Sequence, residues 1–204
     1  AAVGNLGEDK MDVRLGGIYA LQRIMQDSRR DHPTIANVLA TYIRTHTTKP
    51  PSKGQSVPAD VQAAFNVLAS RDTARDGTFH LDLHGAKLPG VTLTSRATDL
   101  RNADLTGAGL GNADLTGVNL SNADLSDADL SGADLSDADL TSASMGSTDL
   151  AGANLTMTNL AYANLSGALM FYTNLKDAFL DGANLSGALV EKSQLDEAFL
   201  DGDI

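Results

Sequence analysis

The stretch NADLSDADLSGADLSDADL, at residues 122–140, contains a leucine at every fifth position: Leu125, Leu130, Leu135 and Leu140. A spacing of five matches neither the α-helix, whose faces repeat every 3.6 residues, nor the β-strand, whose side chains alternate every two. The stretch therefore predicts a repeated unit that is neither a conventional helix nor a conventional strand.

The five-residue spacing continues without a change of phase from Leu100 to Leu200, with Met145, Met170 and Val190 in place of leucine. A small residue, usually alanine, lies two positions before each leucine. Residues two apart on an extended segment face the same way, so both point inward and the Asp or Asn between them points outward. The remaining two residues, often Ser-Gly or Ser-Asp, favour a turn. Each pentapeptide is predicted to be a very short strand followed by a corner.

A longer period indicates how many pentapeptides close one coil. YANLSGAL at 162–169 recurs as GANLSGAL at 182–189, and AFLDG at 178–182 recurs at 198–202. The period of twenty residues predicts four pentapeptides per coil and a four-sided coil. The predicted core positions are Leu105, Leu125, Leu135, Met145, Leu165, Met170, Leu185 and Leu200.

These A(D/N)LXX repeats, strict over residues 98–203, resemble the pentapeptide-repeat family. The resemblance implies an all-β solenoid, a right-handed quadrilateral parallel β-helix. The pattern extends back through Leu83, Leu88 and Leu93, and the step of seven from Leu93 to Leu100 predicts a two-residue bulge. We expect about six coils over residues 78–204.

Residues 1–77 are predicted to form a small α-helical head that caps the coils. Helices are expected at about 9–25, in DHPTIANVLATYIRT at 31–45 and in SVPADVQAAFNVLAS at 56–70, because their apolar residues follow a one-sided helical spacing. The segment THTTKPPSKGQ, within a linker near 45–56, is expected to be exposed. No capping helix is expected after the last repeat.

The head resembles the helical segment that precedes pentapeptide repeats in some bacterial proteins, which implies a cytoplasmic location, with tethering to a membrane through a segment upstream. The chain starts at Ala1, which suggests a processed or cut fragment. It contains no apolar run of about 18 residues, so no membrane span is predicted within it.

Charge divides the chain. Residues 1–97 carry 12 Lys+Arg against 9 Asp+Glu, whereas residues 98–204 carry 3 against 17, a net charge of −14. Because nucleic-acid phosphates would be repelled, direct nucleic-acid binding is not expected. The chain has no cysteine, which excludes disulfides, thiolate nucleophiles and iron–sulfur ligation.

One motif, HLDLH at 80–84, is a metal-site alternative, because His80, Asp82 and His84 would share one side of a strand. We interpret them instead as outward polar positions on the first coil. His32 is expected near a helix start and His46 in an exposed position. No catalytic, cofactor or metal site is predicted, and the protein is not expected to be an enzyme.

Two sets of outward residues are candidate interaction surfaces. An acidic interaction face is predicted from Asp104, Asp114, Asp124, Asp129, Asp134 and Asp139. An apolar interface in the late coils is predicted from Leu169, Phe171, Tyr172, Phe179, Leu189 and Phe199. For the apolar set, a homodimer contact, a foreign partner, a lost cap and local shielding by stacked phenylalanines remain open.

These surfaces predict a non-enzymatic scaffold that binds a protein of unknown identity. The family resemblance adds an alternative, because some members resemble DNA and compete for the DNA-binding saddle of DNA gyrase, a type II topoisomerase. The acidic repeats would span roughly 25 Å, which gives about one charge per 1.8 Å, close to duplex DNA with one per roughly 1.7 Å.

Overall fold

The computed structural model describes residues 2–52, 56–93 and 98–200. Its N-terminal part contains helices and its C-terminal part contains stacked coils of short β-bridges. In chain order the helices are α1 (Ala2–Asn5), α2 (Met11–Asp27), α3 (His32–His46), α4 (Ala59–Ala69), a 3₁₀ turn (Thr73–Arg75) and α5 (Lys192–Leu195).

The three predicted N-terminal helices are confirmed as α2, α3 and α4. Each buries an apolar stripe at helical spacing, such as Ile18, Leu21 and Met25 in α2. The short helix α1 was not predicted. It lies against α2 at Gly17, where a Cβ atom would be 2.9 Å from the carbonyl oxygen of Ala2. A glycine at this position therefore lets α1 pack against α2.

The coils are joined by parallel bridges between residues twenty apart, such as Asp104 to Asp124 and Asp124 to Ser144. Each coil therefore contains four pentapeptides. Around the first coil the offset is 22 instead, as between Asp82 and Asp104. The predicted two-residue bulge falls on residues 94–97, which lie outside the described part of the chain.

All five backbone N–H groups of a pentapeptide donate a hydrogen bond. In the unit at 125–129, the first and third donate to the next coil at 2.7 and 3.0 Å, and the fifth donates to the previous coil at 2.9 Å. The fourth closes the corner on the Leu125 carbonyl at 3.0 Å. The second donates to Oδ1 of Asp124 at 3.0 Å. Because buried donors must be paired, the outward Asp or Asn is part of the corner itself.

The inward leucines and alanines form a continuous core. Of the eight predicted core residues, six are at most 1% exposed: Leu105, Leu125, Leu135, Met145, Leu165 and Met170. Leu185 is only half-buried. The prediction for Leu200 is wrong, since its side chain is 36% exposed. It lies in the last described coil, where no further described coil covers it.

The regular repeat was expected to continue unbroken through residue 203, and this expectation is wrong at α5, which interrupts it. This helix replaces the corner and strand that Leu195 would have formed. The Gln194 side-chain amide donates to the carbonyls of Met170 and Thr173 at 2.8 and 2.7 Å. Glu191 and Gln194 close a capping box at its start. After α5 the chain returns to register, because Phe199 pairs with Phe179.

The helices of the N-terminal part contact the edge of the first coil. The Asp99 N–H donates to the Ala69 carbonyl at 2.7 Å, and the Gln62 amide donates to the Thr92 carbonyl at 2.7 Å. The segment after α3 was expected to be exposed, and most of it is. Thr47 is an exception: it is buried, and its carbonyl accepts the Lys87 N–H at 3.3 Å. Backbone groups at this edge of the coils are thus paired with the helical part.

Candidate functional site

Outward residues of successive coils lie above one another and form four ladders along the coils. Ladder 1 is Asp99, Asn119, Asp139, Asn159, Phe179 and Phe199; ladder 2 is Asp82, Asp104, Asp124, Ser144, Asn164 and Asn184; ladder 3 is Lys87, Gly109, Asp129, Asp149, Leu169 and Leu189; ladder 4 is Thr92, Asp114, Asp134, Asn154 and Asn174. Ladders 1 and 3 are half a coil apart, on opposite sides of the molecule.

The six aspartates of the predicted acidic face do not share one face. Asp139 lies on ladder 1, Asp129 on ladder 3, and the other four divide equally between ladders 2 and 4. The expectation of a single acidic face was wrong because consecutive pentapeptides occupy different sides of a coil. Residues that share one side are twenty apart in the sequence. The negative charge surrounds the early coils on all sides.

Each of these aspartates also closes a corner. Oδ1 of all six accepts the backbone N–H two residues later, at 2.9 to 3.2 Å. Asp134 shows the electrostatic effect. Its partial burial alone would raise its pKa, but hydrogen bonds from Ser136 and from the Asn154 amide hold the pKa below its ordinary value. The carboxylates are therefore turn acceptors as well as surface charges.

The predicted apolar interface is divided between two opposite sides. Leu169 and Leu189 lie on ladder 3, and Phe171 and Tyr172 form the corner that follows Leu169. We call these four residues the apolar strip. Phe179 and Phe199 lie on ladder 1, where their rings stack with centroids 5.2 Å apart. The two phenylalanines thus shield part of each other, while the apolar strip is a separate surface.

Tyr172 is the most exposed large apolar residue of the late coils, with 91% of its surface accessible. Its φ is 59°, in the left-handed region that Gly, Asn and Asp tolerate best. Tyr162 has the same kind of backbone, but in the coil above it Gly182 leaves room for its ring: a Cβ there would be 2.7 Å from Cδ1. Residue 192, the equivalent position above Tyr172, begins α5.

Sequence reasoning named Tyr172 but missed why it is unusual. The position two after the leucine is elsewhere mostly Gly, Asn, Asp or Ser, so an aromatic residue there departs from the turn chemistry. The sequence alone is enough to recognise the unusual aromatic residue at position 172 once the corner position of each pentapeptide is assigned.

The structure does not group the residues of HLDLH as the metal-site alternative expected. Leu81 and Leu83 point inward, so Asp82 and His84 point outward as expected. Asp82, His84 and Asp104 form one cluster, in which each residue offers a ligand atom within 4.8 Å of the others. His80 is not in that cluster and lines a groove with Arg71 and Arg101.

That groove, of about 410 Å³, lies where the helical part meets the first coil. Its arginines are paired, Arg71 with Asp76 at 2.9 Å and Arg101 with Asp99 at 2.7 Å. Burial would raise the pKa of Asp99, but hydrogen bonds from Arg101 and Thr73 keep it below the ordinary value. The positive charges of both arginines that line the groove are therefore offset by carboxylates.

The other two histidines have structural contacts. His32 begins α3, as expected, and is almost fully buried, with Nε2 3.1 Å from Oδ1 of Asp76. His46 is exposed, as expected, and its ring stacks on Tyr42 with centroids 4.0 Å apart. Neither belongs to a metal-ligating group among the described residues.

The part of the chain that the structure describes contains no helix long and apolar enough to cross a bilayer. The comparison with protein families matches the model for pentapeptide repeats at residues 96–122, 119–156 and 148–187. Among proteins with curated descriptions, none matches this chain.

Several solved structures are similar. HetL, a pentapeptide repeat protein involved in heterocyst differentiation regulation from Nostoc sp. strain PCC 7120, is 32% identical over 62% of this chain and 76% of its own, with a TM-score of 0.18. A pentapeptide repeat protein from the Arabidopsis thaliana thylakoid lumen is 27% identical over 55% of this chain and 67% of its own, with a TM-score of 0.35.

QnrB1, a plasmid-mediated fluoroquinolone resistance protein, is 28% identical over 51% of this chain and 60% of its own, with a TM-score of 0.27. With such low TM-scores the superpositions carry no argument. The family model and the identity to HetL carry the assignment. The chain belongs to the family of pentapeptide-repeat proteins.

Proposed function

We propose that this protein is a non-enzymatic scaffold that binds a protein partner through the apolar strip. The observation that carries the proposal is the exposure of Tyr172, 91%, at a corner beside Leu169 and Leu189. Clustered apolar side chains on a rigid surface are typical of interaction sites.

The composition of the strip argues against a purely structural origin. Leucine at position 169 has no side-chain oxygen to accept the corner N–H that Asp and Asn accept elsewhere. A left-handed backbone at Tyr172 costs roughly 1 kcal/mol for a residue other than glycine. Leu169 and Tyr172 are thus less favourable for local stability than the Asp or Asn and the Gly found at the same positions of other pentapeptides. A role in an exposed contact surface would explain why these two residues are present.

A photo-crosslinking amino acid at position 172 tests the proposal, with the same amino acid at Ser142 as the matched control. Ser142 also has a positive φ, 58°, at a corner, but in a polar coil. In cells that express the chain natively, we expect a covalent protein adduct at position 172 and none at 142. Adducts of equal yield at both positions would contradict the proposal.

The mass of the adduct separates the remaining alternatives. An adduct of twice the chain mass identifies a homodimer through the late coils, and any other mass identifies a foreign partner. A second pair of variants checks the contact. Leu189→Asp should abolish the adduct, whereas Asn159→Asp, which adds the same charge to ladder 1, should leave it.

The second candidate is a mimic of DNA that binds DNA gyrase. The observation that favours it is the distribution of the acidic residues over all four ladders, because duplex DNA is also charged on every side. QnrB1 is described as a fluoroquinolone resistance protein, and we extend that role to this chain only as a proposal.

A gyrase supercoiling assay at two salt concentrations tests this candidate. We expect inhibition that weakens with added salt and with added DNA, as for any competitor that depends on charge. Replacement of Asp124, Asp129, Asp134 and Asp139 by Asn should remove inhibition without unfolding the coils, since Asn154 closes the same corner at 3.2 Å. Unchanged inhibition by that variant, or none by the wild type, rejects the candidate.

For the architecture, we propose a right-handed, four-sided β-helix over residues 78–204, capped by a helical unit at 1–77. The contacts of Ala69 and Gln62 with the first coil support a capping role, because they pair backbone groups at an exposed edge.

A further inference from the structure

We propose that Asp82, His84 and Asp104 bind a divalent transition-metal ion such as Zn²⁺ on the outer surface of the first two coils. The three residues offer ligand atoms that all lie within 4.8 Å of one another. This site is independent of the apolar strip and of the proposed partner.

The register of the coils builds the cluster. Asp82 and Asp104 are bridge partners on ladder 2, so their carboxylates project side by side from adjacent coils. His84 lies at the corner after Asp82. Oδ1 of Asp82 is 2.6 Å from Nδ1 of His84 and accepts the His84 backbone N–H at 3.2 Å. The corner thus turns the imidazole back toward the carboxylates.

The donor set suits a first-row ion. An imidazole nitrogen and carboxylate oxygens bind Zn²⁺ at about 2.0–2.2 Å, and water can complete the coordination. Ligands at those distances lie about 3–3.6 Å from one another, so only small side-chain rotations are required. The ion would also offset the repulsion between two carboxylates on facing rungs.

The site is specific to this rung of ladder 2. Asp104 and Asp124 also face each other, but the residue two after Asp104 is Thr106, which offers no imidazole. Asp82 also forms an ion pair with Arg44 of α3 through Oδ2. That ion pair fixes the carboxylate with Oδ1 directed toward His84.

Calorimetric titration of the chelator-treated full chain with ZnCl₂ tests the proposal. We expect saturable binding of one ion per chain. His84→Ala and Asp104→Asn should each weaken it at least about tenfold. Asn at 104 retains an oxygen for the corner N–H of Thr106, so this variant should fold.

The matched control is His80→Ala. His80 and His84 are both exposed and four residues apart, but only His84 belongs to the cluster. His80→Ala should bind like the wild type. Absence of stoichiometric binding by the wild type, or equal losses in both histidine variants, would overturn the proposal. With Co²⁺ as the probe, visible absorption bands should appear in His80→Ala and be lost in His84→Ala.

Discussion

The outward residue before each leucine has two roles that the sequence does not separate. Its Oδ1 atom accepts the corner N–H, as Asp124 does for Ser126 at 3.0 Å, and its charge contributes to the surface. Asparagine does the first equally well, as Asn154 does for Thr156. Asp and Asn therefore serve the corner equally well, and the concentration of Asp in the early coils is not explained by the corner alone.

The inward threonines show that the contribution of a buried hydroxyl to stability depends on whether a hydrogen-bond acceptor lies within reach. Thr148 is fully buried, and its Oγ1 donates to the Leu125 carbonyl at 2.8 Å. Thr98 occupies the equivalent inward position before Leu100, but its buried Oγ1 has no hydrogen-bond partner among the described residues. The coil beneath Thr148 supplies a carbonyl, whereas Thr98 lies in the first coil, above the helical part.

Replacing each threonine by valine should therefore have different effects. Thr148→Val removes a buried hydrogen bond and should destabilise the protein by about 1 kcal/mol. Thr98→Val replaces an unpaired hydroxyl by a methyl group and should leave stability unchanged or raise it. Urea and thermal unfolding of the two variants measure the difference. Equal losses would show that the Thr98 hydroxyl is paired in solution.

At the scale of elements, a buried polar network joins three helices. Asp60 of α4 accepts hydrogen bonds from Arg14 of α2 and from the Tyr42 hydroxyl of α3, both at 2.6 Å. Burial would raise the pKa of Asp60, but these hydrogen bonds hold it below its ordinary value. Burial, together with the hydrogen bond to Asp60, raises the pKa of Tyr42 to about 12.

This network predicts a loss of stability at alkaline pH. Because the folded-state pKa of Tyr42 is raised above the ordinary 10.0, its stabilising effect is complete below pH 10 and is lost as pH rises through about 12. Tyrosinate absorbance should show a late step near pH 12 that Tyr42→Phe removes. At pH 7 this variant should lose about 1–3 kcal/mol, because it leaves Asp60 one donor short.

The control is Tyr19→Phe in α2, whose side chain is 56% exposed. It should retain the late ionisation step and wild-type stability. A late step that survives in Tyr42→Phe would contradict the assignment of the raised pKa.

The sequence predicted elements well where a period was long enough to read. The stripes of α2, α3 and α4 and the pentapeptide phase each extend over many residues. The helices α1 and α5 have four residues each, too few for any period. Leu195 lies at the position where the five-residue spacing expects a leucine, yet it belongs to the helix α5. There the Gln194 side-chain amide donates hydrogen bonds to two carbonyls of the previous coil.

The candidate surfaces were predicted less well, for a geometric reason. The five-residue period assigns inward and outward positions, but the side of the coil depends on the twenty-residue register. Leu169 and Phe179 look like neighbours in the sequence and lie on opposite sides, whereas Asp82 and Asp104 are distant in sequence and adjacent in space. Between the first two coils the offset is 22 instead of 20, which hid the cluster around His84.

At the scale of the whole molecule, like charges face each other on several rungs. Asp104 pairs with Asp124, Asp114 with Asp134, and Asp129 with Asp149. Neighbouring coils are about 4.8 Å apart, and like charges directly opposite each other destabilise a sheet. Residues 98–204 carry a net charge of −14, so little positive charge offsets this repulsion.

The repulsion predicts that salt stabilises the protein. The screening length falls from about 30 Å at 0.01 M to about 10 Å at 0.1 M ionic strength, so the melting temperature should rise over this range of KCl. Asp124→Asn removes one charge from ladder 2 but retains an acceptor for Ser126. It should raise the melting temperature at low salt and flatten its dependence on salt. Asp12→Asn, an exposed change in α2, should leave that slope unaltered. A wild-type melting temperature that is flat or falls with KCl would mean that repulsion along the ladders does not limit stability, and that the early coils tolerate their charge without cost.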